Sequence, residues 1–244
     1  MRPILPSLSL ACLAFLLSGL ARVAHAQTPT AGDILQKSLA YHDPQGTWGR
    51  FDGGFTIQME TPDKPVRTSH IKIDQPASYF GIRIVQDGAE TELELQKADC
   101  RLRYNGSEDF SEEVADEYRL TCERARLWRD YYSFLYGLPM KLHDPGTNLD
   151  PKVERRAFHG KTYWVLRVTY DPETGSDTWY FYFNPETFAL SAYQFFHDPA
   201  KNDGEYILLE GEAQVGGMRL PRTRKWYTNQ GDRYLGTDTL TGSD

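Results

Sequence analysis

Residues 163–196 read YWVLRVTY-DPETGSD-TWYFYF-NPET-FALSAYQFF, and the fold follows from how this stretch divides. Runs of aromatic and β-branched residues alternate with Asp-Pro and Asn-Pro breaks, the pattern of consecutive antiparallel strands. Twelve of the thirty-four residues are aromatic. An antiparallel strand ordinarily carries apolar side chains on one face only. Here Trp179, Phe181 and Phe183 point one way while Tyr180 and Tyr182 point the other. Such a sheet is either covered on both sides, or covered on one side and lining a hollow on the other.

Outward from this stretch the same punctuation continues. Strands are expected at Val153–Phe158, Thr162–Tyr170, Thr178–Phe183, Phe188–His197, Glu205–Ala213, Met218–Tyr227 and Arg233–Leu240. Pro221 falls inside one of them, which marks an edge or a bulge. Upstream, residues 50–96 alternate as four strands, and Arg101–Tyr104 makes a short fifth. Glu90, Glu92 and Glu94 form a solvated acidic face. Two helices interrupt the strands. The first begins at Thr30, with Asp33 completing a capping box. The second runs from Thr121 to Tyr136 with an apolar stripe of Leu127, Trp128, Tyr131, Phe134 and Leu135. Gly137 is its expected left-handed stop. The segment between, 107–117, is acidic and reads as a loop. The expected fold class is mainly β (α+β): a strongly curved antiparallel half-barrel of about 11–12 strands, with two helices over the concave side. So many successive strands must curl or split.

Residues 1–26 read as a cleavable leader: Arg2, a Leu- and Ala-rich run, then Ala24-His25-Ala26 before the cut. A Sec-type signal cleaved after Ala26 sends residues 27–244 to the periplasm as a single β-rich domain. The chain carries a net charge of −7, and losing Arg2 and Arg22 with the leader takes it to −9. That balance speaks against nucleic acid and broad anionic surfaces as partners. No second apolar run is long enough to span a bilayer. Cys100 and Cys122 remain, and an even count in an oxidising compartment predicts a disulfide between them.

His-Asp-Pro occurs at His42-Asp43-Pro44, His143-Asp144-Pro145 and His197-Asp198-Pro199. Adjacent carboxylates orient imidazoles in metal and acid–base sites. Yet five of fourteen prolines follow Asp, so the triplet reads first as a turn device. Arg219, Arg222, Arg224 and Lys225 interleave with Trp226 and Tyr227 and read as a solvated strand face. No nucleophile elbow, zinc-binding His-Glu-x-x-His or phosphate loop is present, so no catalytic residue, metal ligand or cofactor is assigned.

The segments YYSFLYGLPMKLHDPGTNLDPKVE, WYFYFNPETFAL, HDPAKNDGEYILLEGE and RKWYTNQGDRYLGTDTLT resemble a family of uncharacterised exported bacterial proteins. More distantly the arrangement is similar to the outer-membrane lipoprotein carrier superfamily, LolA-like and LolB-like. That resemblance implies a half-open curved sheet whose concave side is partly plugged by helices and holds acyl chains. Envelope-stress sensor domains share the fold. No carrier-specific motif is present to transfer a role residue by residue.

The functional expectation is a non-catalytic periplasmic protein that carries or senses a hydrophobic small molecule, a lipid or a lipoprotein acyl chain. Trp128, Tyr131 and Phe134 would form a lid, and Trp179, Phe181, Phe183, Tyr193 and Phe195 the lining. Two alternatives stand beside it: an interaction or envelope-stress-sensing module with a filled core, and a hydrolase or metal enzyme using the His-Asp pairs.

Overall fold

The computed structural model describes residues 28–243, so the leader expected at 1–26 lies outside the described residues. Twelve strands form one antiparallel sheet in the order β5-β4-β3-β2-β1-β12-β11-β10-β9-β8-β7-β6. Each hairpin neighbour in sequence is a neighbour in the sheet, and the two runs join where β1 (Asp52–Glu60) pairs β12 (Tyr234–Ser243). The sheet curves without closing, which makes β5 (Asp99–Tyr104) and β6 (Thr147–Phe158) its edges. The remaining strands are β2 (Arg67–Asp74), β3 (Tyr79–Gln86), β4 (Ala89–Gln96), β7 (Lys161–Tyr170), β8 (Thr178–Phe183), β9 (Leu190–Phe196), β10 (Glu205–Val215) and β11 (Met218–Thr228). The half-barrel expected from the alternation is therefore the fold.

Helix α1 (Ala31–His42) opens with the predicted capping box, Thr30 and Asp33 each bonding the other's backbone N–H. It buries Ile34, Leu35, Ser38 and His42. Helix α3 (Cys122–Gly137) starts at Thr121 and presses Tyr132, Leu135 and Tyr136 onto the sheet. Between them the acidic segment expected to be a loop forms a short helix, α2 (Glu112–Tyr118). Ser111 caps it, and Glu112 and Glu113 sit in its first turn, where acidic residues complement the helix dipole.

Other expectations shift for local reasons. Gly137 is the last residue of α3 and not a left-handed cap. An added methyl there would run into the Trp48 ring, so the glycine permits close approach. Phe188 precedes β9 instead of opening it. It adopts φ 60° and lies beneath the Lys37 ammonium, 4.5 Å from its ring centre. Pro221 pairs Glu212 of β10, but β11 meets β12 only from Thr223 onward. On its β12 side Pro221 therefore has no ladder partner, so it sits at a local edge of the pairing. The acidic row on β4 is paired across the sheet, Glu90 with Arg83, and Glu92 and Glu94 with Arg103.

The two-faced strands resolve into two clusters. Phe181, Phe183, Tyr193, Leu166 and Val168 face the helices in the main core. Tyr163, Val165, Tyr182 and Ala192 form a second cluster on the opposite face. There Phe158, at the end of β6, stacks on Tyr182 at 4.4 Å, and Arg156 lies 4.8 Å over Tyr180. Tyr206 and Tyr227 stack alongside at 5.0 Å. The sheet is thus covered on both sides, by helices on one and by its own long side chains on the other.

Candidate ligand-binding clefts under helix α3

Helix α3 lies across the inner face and meets β3, β4 and β5 along its length. Its N-terminal end is tied down by the Cys100–Cys122 disulfide, as the cysteine count predicts. Its C-terminal end is held by Arg224. That side chain is 1% exposed, although its place in a basic string suggested a solvated face. Strand alternation sends Lys225 outward to Glu210 and turns Arg224 inward. The guanidinium donates to the carbonyls of Pro221 (3.0 Å) and Leu135 (3.3 Å), the latter among the last carbonyls of α3. It also lies 3.8 Å over the Tyr136 ring. Helix ends leave four carbonyls without intrahelical partners and favour cations there, so Arg224 pins the helix to the sheet.

Asp238 is the register partner of Arg224 across β11 and β12, and it is 3% exposed. One carboxylate oxygen accepts from the Trp226 indole at 3.2 Å. Burial pushes its pKa up, while Arg67 and Arg224 pull it back down. The hydroxyls of Tyr131 and Tyr136 are raised well above the phenol range, first by burial. A buried polar group of one aspartate, two arginines and several tyrosines therefore sits at the centre of an otherwise apolar interior. Nothing in the local alternation announced it; only the register of Arg224 opposite Asp238 would have.

Two clefts open beside α3, one toward each end. The first has a volume of about 420 Å³ and is bordered by Phe134, Tyr170 and Trp179, with Lys141, Asp144 and Asp177 at its rim. Phe134 meets Trp179 edge-on at 5.2 Å, and Trp179 stacks on Phe195 at 4.8 Å. Lys141 pairs Asp144, and His197 pairs Asp177 at 2.8 Å. The Tyr170 hydroxyl is buried here without a hydrogen-bond partner among the described residues, and burial raises its pKa. An apolar floor with a charged rim matches the usual make-up of a ligand cleft, as does the volume. The second cleft is about 640 Å³ and bordered by Trp128 with Lys64, Arg67, Arg119 and Arg124.

The expected lid and lining thus separate. Phe134 and Trp179 border the first cleft and Trp128 the second. Tyr131, half-buried, stacks on Trp226 between them. Phe195 is half-buried behind Trp179, while Phe181, Phe183 and Tyr193 are fully buried in the core. The His-Asp-Pro triplets serve turns. Asp43 accepts from the backbone of Thr47 and Trp48, and Asp198 from Ala200. His42 bridges Arg219 to Leu190. Among the described residues no three His, Cys, Asp or Glu side chains are grouped to hold a metal ion.

A family model described as a family of unknown function, DUF6503, matches residues 11–243. The chain belongs to DUF6503. No curated protein matches this DUF6503 chain. Among solved structures it is similar to a LolA superfamily protein from Nitrosomonas europaea, with a TM-score of 0.50 and 12% identity. That match covers 89% of this chain and 94% of the other. It is also similar to a putative outer membrane lipoprotein-sorting protein domain from Vibrio parahaemolyticus, at 13% identity and a TM-score of 0.45 over 86% and 90%. A DUF1329 protein from Desulfovibrio piger gives 7% identity and a TM-score of 0.48 over 88% and 93%. At such identities the Nitrosomonas likeness establishes a shared fold and nothing of activity. Both resemblances carried by the sequence, to an uncharacterised family and to the LolA-like fold, hold.

Proposed function

We propose that this DUF6503 protein is a non-catalytic periplasmic binding protein that carries or senses an acyl-bearing ligand. The leader at 1–26 exports it, and residues 27–244 act as one folded domain. The supporting observation is the cleft at the C-terminal half of α3, with Phe134, Tyr170 and Trp179 around a volume suited to a small apolar ligand. Aromatic rings there supply large apolar area, worth roughly 25 cal/mol per Å² removed from water. Trp179 stacks on Phe195 and on Phe181, so the apolar floor of the cleft is continuous with the core. The likeness in fold to a LolA superfamily protein agrees with this reading. No helix among the described residues is long and apolar enough to cross a membrane.

A second reading is favoured by one observation. Phe181, Phe183, Tyr136 and Tyr193 are buried to 1% or less, so the space below the cleft is filled. A filled half-barrel suits a sensing or interaction module that recognises its partner at the surface. Organic extraction of protein isolated from the periplasm, with tryptophan quenching by added fatty acids, separates the two. The carrier reading expects co-purified lipid and quenching that Trp179→Ala and Phe134→Ala abolish. An empty extract with unquenched tryptophan leaves the module.

A further inference from the structure

The second cleft, at the N-terminal half of α3, is built differently. Lys64, Arg67, Arg119 and Arg124 all border it. Among the described residues none of the four forms an ion pair, and they share one cleft. Glu117 and Asp87 also border the cleft, yet neither approaches a cation within ion-pair distance. Two of the cations are also held in place. Arg124 lies 4.2 Å and Arg67 5.1 Å from the Trp128 ring centre, so the indole carries two guanidiniums. Arg67 donates to the Tyr132 hydroxyl at 3.3 Å, and its Nε is buried without a partner. Like charges gathered this closely repel. The Arg124 pKa is lowered accordingly, by burial first and then by Arg119 and Arg67. Arg67 also acts on the buried Asp238 carboxylate, but Arg119 and Arg124 have no carboxylate within ion-pair distance among the described residues.

We propose that this cleft is an anion-recognition site that takes a phosphate or carboxylate group, held by Arg67, Arg119 and Arg124 against Trp128. Planar guanidiniums match the oxygens of such groups in two-point contacts. An entering anion also relieves the repulsion among the cations. The net negative charge opposes broad adsorption to an anionic surface, but a cleft of four cations selects a single headgroup. An amphiphile is the favoured source. Leu127, 50% exposed, borders an adjacent groove that shares Arg119 and Arg124 with the cleft, so apolar surface lies beside the cations. This deepens the acyl-binding reading by naming the polar end of the ligand, but it rests on a separate set of residues.

The test is tryptophan fluorescence titration of the exported protein with dihexanoylphosphatidylglycerol, dihexanoylphosphatidylcholine and inorganic phosphate. The site requires tighter binding of the anionic lipid, weakening as salt shortens the screening length. Arg119→Gln with Arg124→Gln should then weaken it by tenfold or more, about the loss of one charge-assisted hydrogen bond. Binding of the zwitterionic lipid should stay unchanged. Phosphate that binds in an Arg124-dependent manner while neither lipid does supports the site with a free anion as its ligand, and leaves the carrier reading to the fatty-acid titration. Equal binding of both lipids, insensitive to salt and to the substitutions, overturns the anion site and leaves the carrier reading intact. No response to any probe overturns it too. The salt titration needs no variant, so a misfolded substitution does not spare the proposal.

Discussion

Arg224 and Asp238 face one another across β11 and β12, buried to 1% and 3% exposure. Arg224 serves the carbonyls of Pro221 and Leu135, and removing it leaves buried acceptors without a donor. Arg224→Met should therefore cost about 1–3 kcal/mol per stranded carbonyl in urea denaturation, and Arg224→Lys should recover part of it. His42 gives a pH signature at the same scale. Its Nδ1 lies 2.6 Å from the Arg219 carbonyl, so it must donate there, and Nε2 accepts from the Leu190 N–H at 2.9 Å. Protonating Nε2 destroys the second bond. Burial holds the pKa below the usual His value, against the pull of Glu212 and with a smaller push from Arg224 and Arg219. A folded-state pKa that is depressed contributes stability above the unfolded value, about 6.5, and loses it as pH falls below that. Urea midpoints should drop between pH 7 and pH 5, and His42→Gln should flatten that slope while lowering the plateau. His197, raised by Asp177, has the opposite sign, but it is 63% exposed at the side chain and contributes little.

At the scale of elements, α3 is fastened at both ends by different chemistry. The disulfide joins residues 22 apart at its start, a closure worth about 3 kcal/mol by chain entropy. Arg224 holds the carbonyl of Leu135 near its end. Reduction, or Cys100→Ala with Cys122→Ala, should lower stability by roughly that amount. It should also raise hydrogen exchange in the first turns of α3 more than in its last turn, where Arg224 still holds. Equal exchange along the helix would show that the disulfide does not set its N-terminal end. The prediction bears on the proposed binding, because a helix fastened at both ends moves only if one fastening yields.

For the whole molecule, twelve strands in one curved sheet leave a single inner face, and the helices lie on it. Packing against α1 and α3 consumes Phe181, Phe183 and Tyr193, and the open space lies at the two ends of α3. A ligand that binds only the folded state stabilises it by mass action, about 2.7 kcal/mol at a hundredfold excess over Kd. Fatty acid should therefore raise the thermal midpoint of the wild-type protein and not of Trp179→Ala. A shift of equal size in both would place the ligand away from the first cleft.

The alternation of 163–196, the Asp-Pro breaks and the two apolar stripes determined strand count, hairpin order and both long helices from local pattern alone. The period of side chains along a strand, together with proline's missing N–H, is written in neighbouring residues. The paired cysteines were legible for the same kind of reason, from their number and compartment. What the pattern could not carry was the closure of β1 on β12, because it joins residues at opposite ends of the chain. Nor could it carry the register of β11 on β12, which sets Arg224 opposite Asp238. It also took tertiary packing to place Lys64, Arg67, Arg119 and Arg124 around one tryptophan, since three chain segments supply them. Alternation says that a strand has two faces; only the curved sheet and the helix laid across it decide which face is spent on packing and which borders open space.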